Sequence, residues 1–194
     1  MPDQPVRLVV GLGNPGAEYE HTRHNTGFWL LDQIAANYFA RLSIQQKFRG
    51  GHDQALVDGR KVSLLKPTTF MNRSGESVAA CAGFYKIPPE QILVLHDELD
   101  LPAGSLRLKF GGGHGGHNGL RDMVSHLGSR DFHRLRIGIG HPGSASRVVG
   151  YVLARPSLHD RKAIDDALID CLPVMPDILA GKFQLAMNVL HTRS

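Results

Sequence analysis

"RLVVGLGNPG", Arg7 to Gly16, decides how the rest of the chain is read. An apolar strand runs into G-x-G-x-x-G, the glycine pattern of dinucleotide-binding loops. Those loops work because glycines make a tight turn and bring backbone amides against a pyrophosphate at a helix N-terminus. They need an amphipathic helix immediately afterwards and an acidic residue about 20 positions on. Here "AEYEHTRHNTG", Ala17 to Gly27, follows, with no apolar stripe of helical period. Pro15 also removes one amide donor. The context rejects a nucleotide cofactor, and none is expected. It leaves a buried strand, Val6–Gly11, ending in a loop that carries Asn14.

Outward from that strand, helices and strands interleave. Thr26 is placed to cap a helix from about Gly27 to Leu42, with Phe28, Leu31, Ala35, Tyr38, Phe39 and Leu42 on one face. "QALVDGRKVSLLK" reads as two strands joined at Asp58-Gly59, a hairpin turn pair. Ser74 opens a helix carrying Val78, Cys81, Ala82 and Tyr85, stopped before Pro88-Pro89. "QILVLHD", "SLRLKF" and "RLRIGIG" read as strands, and Asn118–Leu127 as a short helix. From Ser157 the pattern is helical, opened by a Ser157-x-x-Asp160 capping box. The expectation is an α/β fold over residues 1–194, a single domain with a central mixed, twisted sheet flanked by helices. No repeat, low-complexity tract or linker interrupts it.

With 194 residues, 42% hydrophobic and 21% charged, the composition is that of a globular domain. No apolar run approaches the roughly 18 residues of a membrane span. "MPDQPVRL" lacks the basic start and apolar core of a secretion signal. A cytoplasmic protein with no membrane partner is expected, and a monomer. Cys81 and Cys171 each fall in an apolar helical pattern and read as buried, reduced thiols. Residues 101–150 hold seven Lys/Arg against two acids, a local +5 in a chain of net +4. Such a face suits a polyanionic partner or a solvated surface.

Four strand-end loops carry unusual polar groups. The first holds Asn14, Tyr19, His24 and Asn25, and the second, "PTTFMN", ends in Met71-Asn72. The third is "HDELD", with His96-Asp97, and the fourth "GGGHGGHNG", with His114, His117 and Asn118. Zinc on His114-x-x-His117 and the acids of "HDELD" is one reading. The H-E-x-x-H helix is absent, however, and no Cys pair accompanies a His. No G-x-S-x-G elbow offers a serine nucleophile. What remains is a metal-free site of His, Asp and Asn. Neutral His can take a proton from water, Asp can orient it, and Asn can hold a peptide or a developing oxyanion. On these grounds alone the chain is a polyanion-binding hydrolase or a binding module.

"GLGNPGAEYEHTRHNTGF", "PTTFMNRSGE", "HDELDLPAGSLRLKFGGGHGGHNGL" and "FHRLRIGIGHPG", in that order, resemble the bacterial-type peptidyl-tRNA hydrolases over about residues 6–153. The resemblance implies hydrolysis of the ester joining a peptide to the 3′-terminal ribose of tRNA, with peptidyl-tRNA as nucleic-acid substrate and no cofactor or metal. It implies His24 as general base, Asp97 as its orienting acid and Asn14 near the scissile ester. Asn72 and Asn118 would hold substrate, and Tyr19, Met71 and His117 would line the cleft. Lys109 and Arg136 would clamp the tRNA 5′-phosphate, with Arg107 where a further basic residue is usual. The tail after Arg155 matches nothing beyond its helical character.

Overall fold

The computed structural model describes residues 3–191. Seven strands form one mixed sheet in the order β2-β3-β4-β1-β5-β7-β6. They are β1 (Leu8–Gly11), β2 (Ser43–Gln45), β3 (Gly50–Val57), β4 (Arg60–Pro67), β5 (Ile92–Glu98), β6 (Leu106–Phe110) and β7 (His133–Gly138). β4, β1, β5 and β7 run parallel, while β3 and β6 flank them antiparallel. β1 is central, its Val9 lying between Leu64 and Leu93.

Alternation along β1 and β5 divides the apolar residues between two layers. Val9, Leu93 and Leu95 pack with Leu30, Leu31 and Ile34 of α1 (Thr26–Asn37). The same layer holds residues of α4 (Val148–Val152) and of the C-terminal helices α5 (Leu158–Cys171), α6 (Met175–Leu179) and α7 (Phe183–Leu190). Leu8, Val10, Ile92 and Val94 pack with Val78 and Cys81 of α2 (Ser74–Tyr85) and Leu120 and Met123 of α3 (Asn118–Leu127). Cys81 and Cys171 are free, buried and in different layers. Burial pushes both thiols up to about 12, which makes them poor nucleophiles at neutral pH. Among the described residues no helix is long and apolar enough to cross a membrane.

The hairpin turns where expected, with positive φ at Asp58 (48°) and Gly59 (77°). α5 is capped by Ser157, whose Oγ accepts the Asp160 N–H at 3.0 Å. α1 differs from expectation. It ends at Asn37, because Phe39 turns left-handed (φ 56°) and the Ala40 N–H returns to the Ala35 carbonyl, the bond pattern of a Schellman stop. Phe39, expected inward, is 93% exposed. Thr26 is the first helical residue and its buried Oγ1 makes no cap; Asn25 occupies the cap position.

The glycines after β1 serve packing. A Cβ on Gly13 would meet the Phe28 ring at 2.6 Å, and one on Gly11 the Gly27 carbonyl oxygen at 2.6 Å. On Gly27 itself it would meet the Leu95 oxygen at 2.3 Å. Without side chains there, the start of α1 seats directly on the ends of β1 and β5. That seating delivers the residues just before α1 to the carboxyl edge of the sheet. The connections leave β1 toward β4 on one side and cross to β5 on the other, so the chain order switches there. Open α/β sheets place their ligands at such an edge.

Candidate active site

The loops after β1, β4 and β5 and the glycine-rich loop before α3 converge on one cleft of about 1010 Å³. All ten residues expected at a site line it: Asn14, Tyr19, His24, Met71, Asn72, Asp97, Lys109, His117, Asn118 and Arg136.

Asp97, at the end of β5, is buried at the centre. His24 Nδ1 lies 2.9 and 3.0 Å from its two carboxylate oxygens, and His117 Nε2 lies 2.9 Å from Oδ1. The tautomers follow from the partners. His117 Nδ1 accepts the Leu120 N–H at 3.3 Å as the cap of α3, so its Nε2 carries the hydrogen given to Asp97. His24 likewise donates from Nδ1, which leaves Nε2 as its basic nitrogen. Burial alone would raise the Asp97 carboxyl, but the two imidazoles outweigh it and hold it well below the usual carboxylate range. Burial opposes charge on His24, yet Asp97 outweighs that as well and holds the imidazole above its ordinary 6.5.

Asn14 is fixed from three directions. Its N–H donates to Asn25 Oδ1 at 2.8 Å, and its carbonyl accepts from Asn25 Nδ2 at 2.9 Å. Its own Oδ1 accepts the Met71 N–H at 2.7 Å. A backbone N–H needs an acceptor, so the amide cannot be turned over, and Nδ2 remains as a placed donor. Asn72 and Asn118 are exposed on the cleft wall. Tyr19 stands edge-on to Phe70 at 6.3 Å, forming an aromatic corner.

The basic end of the cleft is more structured than a count of charges suggests. Register sets Lys109 opposite Arg134 and Arg107 opposite Arg136 on one face of β6 and β7. Arg136 Nε donates to Glu98 Oε2 at 2.9 Å, so its charge is partly balanced. Arg134 is buried and donates to the Gly112 and Gly113 carbonyls at 2.6 Å each, tying down the glycine-rich loop. Lys109 is exposed.

Residue reading alone missed four roles. Asn25 braces Asn14, Arg134 anchors a loop, and Glu98 holds Arg136. His96 is a buried imidazole whose Nδ1–H donates to the Asp97 carbonyl at 2.7 Å, and burial lowers its pKa to about 3. Only the alternation of Arg134 and Arg136 along β7, with Glu98 one position beyond Asp97, hinted at any of these.

His24, Asp97 and His117 each offer a ligand atom within 4.8 Å of the others. In this arrangement the two ring nitrogens face the Asp97 carboxylate at hydrogen-bonding distance. The cluster satisfies itself by hydrogen bonding.

The chain matches a family model described as peptidyl-tRNA hydrolase over residues 8–194. It is 56% identical to a peptidyl-tRNA hydrolase of Neisseria meningitidis serogroup A, over 97% of this chain and 98% of that protein. Identity to one of Methylobacillus flagellatus is also 56%, with the same coverage. The crystal structure of peptidyl-tRNA hydrolase from Acinetobacter baumannii superposes with a TM-score of 0.93 at 50% identity, covering 95% of this chain and 94% of that one. Sequence and fold thus agree over nearly the full length on both sides, and the chain belongs to the peptidyl-tRNA hydrolase family.

Proposed function

We propose that this chain is a cytoplasmic, monomeric enzyme that hydrolyses the ester between a peptide and the 3′-terminal ribose of tRNA, using water activated on His24 and no metal. The observation that carries the reading is the Asp97-held His24, with Nε2 as its basic nitrogen, in one cleft with the placed amide of Asn14. His24 takes a proton from water as water attacks the ester carbonyl. Asp97 fixes the tautomer and stabilises the imidazolium that forms. Asn14 Nδ2 donates to the developing oxyanion. His117 fills the second hydrogen-bonding place on Asp97 and so holds the carboxylate toward His24. The proton then passes from His24 to the leaving ribose oxygen, giving free peptide and tRNA. An ester is easier to cleave than an amide, so one positioned base suffices.

In this reading Asn72 and Asn118, exposed on the cleft wall, meet the peptide amide, with Tyr19 and Met71 as walls. Free aminoacyl-tRNA carries an ammonium there and leaves those groups mismatched. With a strong chelator present, N-acetyl-aminoacyl-tRNA should be cleaved with a kcat/KM at least ~10²-fold above that of the free aminoacyl form. Equal cleavage of the two, or activity lost to the chelator, would overturn the reading.

Lys109 and Arg136 are assigned to tRNA phosphate. Lys109→Ala and Arg136→Ala should each raise KM, leave kcat nearly unchanged, and reduce the slope of log KM against log salt by about one. KM measured from 50 to 200 mM salt checks this. A wild-type slope in both variants would remove these residues from the clamp.

A further inference from the structure

A second groove, of about 770 Å³, opens beyond Asn14. Phe28, Trp29 and Ala36 of α1 and Ile44 of β2 line it, with the Asp32–Lys66 ion pair (2.7 Å) at its side. Asn14 lines both the groove and the catalytic cleft. The ridge between them is the hydrogen bond from the Met71 N–H to Asn14 Oδ1. Pro67 and Thr68 face the groove, whereas Phe70, Met71 and Asn72 face the cleft.

The sheet order gives this arrangement a direction. Lys109 and Arg136, the basic groups at the cleft, lie on β6 and β7, at one end of the sheet. Asp97 ends β5, Asn14 follows β1, and the groove lies over the β4-to-β2 end. An ester of tRNA has a polyanionic half and an acyl half. The first is drawn to the basic end, so the second runs past Asn14 toward the opposite end. The lining there is largely apolar, with Glu20, Thr68 and the Asp32–Lys66 pair as its polar groups beside Asn14 and Asn25, which suits the side chains and neutral backbone of a peptide.

We propose that this groove is an acyl-side subsite. It takes peptide residues N-terminal to the one esterified to tRNA and favours apolar side chains. The proposal rests on the esterase reading above and extends it to substrate length. Ala36 and Ile44 are exposed, so substitutions there fill or charge the groove without entering the core.

The test compares N-acetyl-aminoacyl-tRNA with a peptidyl-tRNA bearing a longer apolar peptide and the same C-terminal residue. The wild-type protein, Ala36→Trp and Ile44→Asp are each assayed on both. The wild-type protein should favour the longer substrate. Each variant should reduce that advantage roughly tenfold, about the contribution of burying one large apolar side chain, with the acetylated substrate within twofold of wild type. No wild-type preference for length, or parallel changes on both substrates, would overturn the subsite while leaving the esterase reading intact. A wild-type protein inert toward both would overturn the esterase reading itself.

Discussion

His24→Ala should lower kcat by roughly 10²-fold or more, the range lost with a positioned general base. The reason lies in how few groups at the site can take a proton from water. Asp97 is buried, accepts from two imidazoles and is held far below the usual carboxylate range. The His117 nitrogen facing Asp97 carries a hydrogen, and its other nitrogen is engaged with the Leu120 N–H. His96 is buried against the Asp97 carbonyl. Of the two described imidazoles bonded to the Asp97 carboxylate, His24 alone keeps its second nitrogen for the cleft. His24→Asn keeps a donor for Asp97 and should fold as well as wild type, yet be as slow. Single-turnover cleavage of N-acetyl-aminoacyl-tRNA, with melting temperature as control, separates chemistry from folding. Near-normal turnover in either variant would remove His24 from the mechanism.

Asn14→Asp should cost about 10²- to 10³-fold in kcat, the range seen when an oxyanion donor is lost. The substitution keeps the shape and an oxygen that can still accept the Met71 N–H, and the backbone contacts with Asn25 do not involve the replaced atom. Folding should therefore change little. The Nδ2 donor is gone, and a carboxylate now faces the oxygen on which negative charge develops. KM should move much less than kcat, since the effect falls on the transition state. If kcat stays within about threefold of wild type, Asn14 serves only to hold the loops together.

The architecture was legible wherever local chemistry and burial agree. Apolar runs located β1 and β5, alternation located β6, and the Asp58-Gly59 turn marked the β3–β4 hairpin. α2 starts at Ser74 and α3 spans Asn118–Leu127, as the periodicity indicated. The failures share a cause. Phe39 ends α1 in a left-handed conformation that glycine usually supplies, so nothing in its side chain marks the stop. β2 is three residues long with no fully buried position, and it exists only as a partner for β3.

The site divides in the same way. Its polar loops stood out, and the family resemblance named His24, Asp97 and Asn14. The 73 positions between His24 and Asp97 are closed by the seating of α1 through Gly27, a tertiary event. Asn25, Arg134 and Glu98 act through neighbours on other elements, so their identities alone could not show it. The basic segment likewise overstated the charge available to a ligand. Arg134 turns inward to loop carbonyls, and Arg136 is shared with Glu98.

The pH dependence of kcat/KM for N-acetyl-aminoacyl-tRNA, measured in chelator, bears most directly on the claim that neutral His24, tuned by Asp97, is the base. The active form is unprotonated, so activity falls as pH drops through the His24 pKa. Burial pulls that pKa down, but Asp97 more than compensates, so the midpoint of the acid limb should lie above 6.5. In Asp97→Asn the opposing charge is gone and burial remains, so the limb should shift to lower pH as the plateau falls. A wild-type limb at or below 6.5, or one that Asp97→Asn leaves in place, would contradict the account.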